Sequence, residues 1–251
     1  MKIAPVLICS VALFVAACNA ETPTSTVAAR PKSSAVAFAA PGNGDWSTIV
    51  QKTPEGGYAM GNPGAKVKLV EFGSMTCHYC ADFDKEGVKP LVNNYVKKGL
   101  VNFEFRNFVR DPFDLTATLL ARCAGETGFF GLTRNIYSDQ TNWLGKVQAA
   151  DPARMQALQS MPAAAQFATI ADLAGLKQFV SMRGLPQAKA DQCLADAAEV
   201  DQLVQMNADA VSQFNVTGTP AFAIDGTKVD VRPGTPTWTQ IEAALKKSLA
   251  S

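Results

Sequence analysis

Histidine is almost missing from this chain: among 251 residues there is only His78. That excludes a metal site built from several imidazoles. It also excludes a catalytic triad whose histidine lies remote from the segment around position 78. Net charge is nearly absent as well, with 23 Lys and Arg against 22 Asp and Glu. Such a balance gives no electrostatic case for nucleic acid or an acidic substrate. No internal repeat is visible. The longest apolar run, Ile3 to Ala17, is too short for a comfortable membrane span. Hydrophobic residues make up 47% of the chain, enough for one substantial core, with room for an inserted subdomain.

That apolar run follows the basic start Met1-Lys2 and has the length of a signal-peptide core. It ends in Val15-Ala16-Ala17-Cys18, a pattern like the bacterial lipobox, whose cysteine is lipidated and becomes the new N-terminus. The expectation is an export signal over 1–17 with Cys18 as a lipid anchor. The alternative is ordinary cleavage nearby, for instance after Ala20. From Cys18 to Asp45 the composition turns to Ala, Thr, Ser, Pro and Gly. This reads as a flexible tether whose root-mean-square span is about 30 Å. The folded domain is expected over 46–251.

Within it, Val67 to Phe72 is a short strand pattern ended by Gly73. Phe83, Val88, Leu91, Val92, Tyr95 and Val96 then recur at helical spacing. Pro90 is expected to kink this helix and Gly99 to stop it. Val101 to Phe108 alternates as a second strand, which completes a βαβ unit. From about 112 to 206 the chain is rich in Ala, Leu, Gln and Met and reads as short helices, one over Ala163 to Ala174. A long helix is expected from about Ala195. Val216 to Gly226 holds a turn, a strand and a hairpin-type Asp-Gly, with Val229 to Val231 as the expected partner. A last helix starts near Thr237. The class is α/β, interrupted by a helical insert.

Cysteine carries the chemistry. Of six, Cys9 lies in the expected export signal, and Cys77-His78-Tyr79-Cys80 places two at a helix start. Free N–H groups and the helix dipole there favour a thiolate at the first cysteine. Stabilising that thiolate stabilises the reduced protein and makes Cys77 a good leaving group. His78, if protonated, adds a positive charge beside Cys77; otherwise it is a solvent-facing residue. Three readings of the pair stand open: half of a zinc site completed by Cys123 and Cys193, an inert structural disulfide, or a redox pair. The preceding strand, the following helix and the export signal favour redox chemistry. On that reading Cys123 and Cys193 are expected to form a structural disulfide, since loose thiols are a liability in an oxidising compartment. The alternative is two buried thiols that never meet. No bound cofactor or metal is expected.

Glu71-Phe72-Gly73-Ser74-Met75-Thr76-Cys77-His78-Tyr79-Cys80, together with Gly218-Thr219-Pro220-Ala221-Phe222 and the intervening insert, resembles the DsbA-type thioredoxin-fold family of periplasmic oxidoreductases. The resemblance runs from about Gly57 to the end. It implies a thioredoxin-like fold with a helical insertion subdomain. It also implies Cys77 as nucleophile, Cys80 as resolving partner and a cis bond at Thr219-Pro220 that exposes backbone to an extended substrate. Glu71 matches the family's buried acid and would relay the Cys80 proton; the other reading is a partly exposed Glu paired with Arg106. His78-Tyr79 departs from the Pro-His of the best-known oxidases, and Tyr79 with Thr219 is more like the isomerases. The implied partners are reduced or unfolded exported proteins and a membrane reoxidant of the DsbB type. A monomer is expected, in the periplasm and held to a membrane if Cys18 is lipidated. A non-catalytic binding module or metal carrier of the same fold is the reading from another class.

Overall fold

The computed structural model describes residues 40–251. The expected export segment, Cys18 and most of the expected tether lie outside these residues. Strands β1 (Val50–Lys52) and β2 (Tyr58–Met60) form a hairpin that the sequence pattern did not announce. At three residues each they are too short to display a period. They are followed by β3 (Val67–Gly73) and β4 (Val101–Asn107), which pair in parallel from Val67↔Val101 to Gly73↔Asn107. The expected βαβ unit is therefore present. Strands β5 (Ala221–Ile224) and β6 (Thr227–Val229) complete one sheet in the order β1-β2-β4-β3-β5-β6. β6 begins two residues before the expected partner strand. The reason is the tight turn: Asp225 (φ 50°) and Gly226 (φ 81°) both take the left-handed conformation, so pairing restarts at once.

Between β3 and β4 the helical run opens with α1 (His78–Phe83) and continues through α2 (Lys89–Leu91), with a π turn after each. Pro90 lies in α2. A proline removes one N–H and crowds the carbonyl four residues earlier. Here the run absorbs that by widening into π turns rather than by breaking. Gly99 (φ 71°) ends the segment.

The insert comprises α3 (Pro112–Arg122), α4 (Gly125–Ser138), α5 (Gln140–Gln148), α6 (Pro152–Leu158), α7 (Ala163–Leu173), α8 (Leu176–Ser181) and α9 (Gln187–Leu194). It returns to the sheet through α10 (Ala197–Phe214), and α11 (Thr237–Ala250) closes the chain. Cys123 at the end of α3 and Cys193 in α9 form a disulfide with Cα atoms 5.9 Å apart. That bond occupies both thiols, so the four-thiolate zinc reading falls.

Strand alternation decides what lies under the active-site helix. Val67 and Leu69 pack with Phe83, Leu91, Ile241 and Leu245, the side of α1, α2 and α11. Val70 and Phe72 face the other way, against Ala210 and Phe214 of α10. By the same period Glu71 falls on the α1 face.

Candidate functional site

Two neighbouring parallel strands end at the same edge of the sheet, and the site is built there. Gly73 ends β3, and its carbonyl accepts the Phe108 N–H at 2.8 Å just beyond β4. No side chain fits at Gly73, because a Cβ would lie 2.5 Å from the buried Phe105 ring. The loop Ser74-Met75-Thr76 then leads into Cys77, the N-cap of α1.

Cys77 is only 3% exposed. Its Sγ accepts the Cys80 N–H at 3.3 Å, and its S–H faces the Thr219 carbonyl at 3.2 Å. The Thr219-Pro220 peptide bond is cis. So residues 142 positions apart in sequence meet at one sulfur. The Cys77 thiol is lowered to about 6. Hydrogen bonding from the Cys80 thiol is the largest cause, outweighing the opposing burial. Thr219, whose buried hydroxyl has no hydrogen-bond partner among the described residues, also favours the anion. So do the Cys80 N–H and the Arg110 guanidinium. Cys80 is fully buried, and burial first, then the neighbouring Cys77, pushes its thiol well up. The pair is asymmetric: one sulfur is held as an anion, the other as a thiol.

Glu71 is 2% exposed in the centre of the sheet, paired in register with Phe105 on one side and Phe222 on the other. Burial, followed by Asp84 and Cys77, raises its carboxyl well above the ordinary range. Arg106 pairs instead with Glu104 (2.8 Å) and Glu55 (3.8 Å). The alternative of a partly exposed Glu71 held by Arg106 is therefore corrected: Arg106 and Glu71 are staggered by one residue across β3 and β4, so they face opposite sides. His78 and Tyr79 are both exposed, and their rings meet at a tilt of 39° with centroids 3.8 Å apart.

Four residues around the loop escaped the sequence reading. Asp114 is fully buried; its Oδ1 accepts the Met75 N–H at 2.7 Å and its Oδ2 the Arg110 N–H at 3.0 Å. Burial raises it to about 7. Gln140 Nε2 donates to the carbonyls of Met75 (2.8 Å) and Cys77 (3.1 Å). The Tyr137 hydroxyl donates to the Ser74 carbonyl at 3.2 Å. Arg110 donates to Ser74 Oγ and Thr76 Oγ1, each at 3.0 Å. One signal was readable: Asp111-Pro112-Phe113-Asp114 is a helix start, and the parallel pairing of β3 and β4 sets that start beside the Cys77 loop.

A mixed sheet with a dithiol at a helix N-terminus, opposite a cis-proline, defines a thioredoxin-fold dithiol protein. The family model described as thioredoxin matches residues 53–247, and the chain belongs to that family. The architecture is of the DsbA type. A protein-disulfide isomerase from Novosphingobium aromaticivorans is similar at 33% identity and a TM-score of 0.71, covering 77% of this chain and 97% of that one. The alpha-DsbA1 of Wolbachia pipientis shares the fold, with a TM-score of 0.61 at 20% identity over 79% of this chain and 92% of that one. A Rickettsia felis protein, provisionally named a protein-disulfide oxidoreductase, is 24% identical over 80% of this chain and 63% of its own length. A Rickettsia bellii protein of the same name matches over 38% of this chain and 37% of its own length at 30% identity. The chain thus spans less than two thirds of these rickettsial relatives.

Proposed function

We propose that this chain is a thiol–disulfide oxidoreductase that introduces disulfides into exported proteins. The observation that carries the reading is the unequal treatment of two thiols three residues apart. Cys77 caps a helix, accepts an N–H and meets the carbonyl before a cis-proline, whereas Cys80 is sealed in the core. In the oxidised protein a substrate thiolate attacks Cys77 Sγ. The Cys77–Cys80 bond breaks, a mixed disulfide forms, and Cys80 leaves and takes a proton. A second substrate thiolate attacks the substrate sulfur of the mixed disulfide and expels Cys77 as a thiolate. The substrate has lost two electrons, and the dithiol holds them. The proposed role of Glu71 is to relay the Cys80 proton. The proposed role of Thr219-Pro220 is to offer backbone to the extended substrate.

A stable Cys77 thiolate favours the reduced form, so the oxidised form passes its disulfide on. Reoxidation would fall to a membrane partner of the DsbB type. The basic start, the apolar run and Val15-Ala16-Ala17-Cys18 support export to the periplasm with lipidation at Cys18, and we propose a monomer. The second reading is an isomerase; the name of the Novosphingobium aromaticivorans relative and the pairing of Tyr79 with Thr219 favour it. Oxidative refolding of a reduced model protein tests the main reading. Cys77→Ser is expected to abolish it, and retained activity would sink the assignment.

A further inference from the structure

We infer that Arg110 is the fixed cation of this site, a positioning residue that two hydroxyls of the Cys77 loop hold in place so that its charge serves the Cys77 thiolate. The inference rests on the dithiol reading given above and adds a residue to it.

Arg106, Arg122 and Arg134 each make an ion pair with a carboxylate. Among the described residues Arg110, Arg154, Arg183 and Arg232 make none, and of these Arg110 is the one hydrogen-bonded to the Cys77 loop. Its Nε donates to Ser74 Oγ and its NH2 to Thr76 Oγ1, both neutral acceptors. Among the described residues it makes no ion pair with a carboxylate. Two bonds from a rigid planar group fix its position as well as its direction. The guanidinium is thus tethered by neutral groups, with no carboxylate in direct contact among the described residues.

Both tethers lie on the loop that leads into Cys77. Thr76 immediately precedes Cys77, and the Cys77 N–H donates to the Ser74 carbonyl at 3.1 Å. The backbone of Arg110 is held in turn: its N–H donates to Asp114, whose other oxygen holds Met75. Asp111 accepts from Thr76 Oγ1 at 3.1 Å, which orients that hydroxyl as an acceptor toward Arg110. Ser74, Thr76 and the start of α3 therefore form one frame with the guanidinium on its open side. Arg110 is exposed, so its effect on the sulfur is modest and screened by salt. Among the groups that favour the Cys77 anion, it is the one that carries a full positive charge.

The test is the pH dependence of Cys77 alkylation in the reduced full-length protein, at low and high salt, for wild type, Arg110→Gln and Arg110→Lys. Arg110→Gln is expected to raise the Cys77 midpoint by about half a pH unit, the size of an exposed charge pair. Arg110→Lys keeps the charge without the fork and falls between the two. Raising salt to about 1 M, where screening acts within roughly 3 Å, lifts the wild-type midpoint toward that of the Gln variant and leaves the Gln variant in place. A purely structural Arg110 would not give that salt response. A Gln variant that titrates with wild type, or a wild-type midpoint indifferent to salt, overturns the inference. Failure of the underlying dithiol reading looks different, namely a wild-type midpoint at the ordinary thiol value of about 8.5.

Discussion

The Cys77 thiol is held below its ordinary pKa and the Cys80 thiol above it, because each meets different neighbours. Cys77 has donors aimed at its sulfur, whereas Cys80 has apolar core around it and an anion nearby. Alkylation of Cys77 should therefore follow a midpoint of about 6, and a midpoint near 8.5 would contradict the site geometry. A depressed thiol stabilises the reduced fold fully above the ordinary unfolded value of about 8.5, and the contribution is lost as pH falls through about 6. Asp114 works the other way. Its carboxyl is raised from 3.8 to about 7 by burial. A raised acid contributes stability that is full below 3.8 and lost as pH rises through about 7. Asp114→Asn cannot titrate, so its stability relative to wild type should improve between about pH 5 and about pH 7.5. Urea midpoints at the two pH values measure this, and parallel profiles would refute it.

Among the elements, β3 and α1 were legible and the β1–β2 hairpin was not. β3 runs seven residues, rich in Val and Leu and ended by Gly73, long enough to read as a strand, whereas β1 and β2 have three residues each. Cys77 and Pro220 stood out as motif residues. Asp114, Tyr137 and Gln140 did not, because their partners are backbone groups of a loop 39 to 65 residues away. No local spacing encodes such a meeting. The insert has its own staple in Cys123–Cys193, which closes a loop of 70 residues. Replacing both by alanine should cost about 2–4 kcal/mol in urea unfolding, chiefly through the freed unfolded chain. The same variant should leave the Cys77 midpoint in place, since the disulfide and the active sulfur sit on different elements. Unchanged stability, or a shifted Cys77 midpoint, would contradict that division.

For the whole molecule, the parallel pairing of β3 with β4 is the organising fact. It puts the segment before Cys77 and the segment before α3 at one edge, while β5 brings Thr219-Pro220 to the same place. The insert then closes over that edge through Tyr137 and Gln140. The topology thus assembles one thiolate site from segments scattered across the chain, and the chemistry follows from the site's asymmetry. The reduction potential of Cys77–Cys80, read by equilibrating the full-length protein with glutathione and trapping Cys77, tests this most directly. A stabilised Cys77 thiolate predicts a potential clearly more oxidising than the roughly −270 mV of thioredoxin. A value at or below that of thioredoxin would contradict the account and assign the dithiol to reduction.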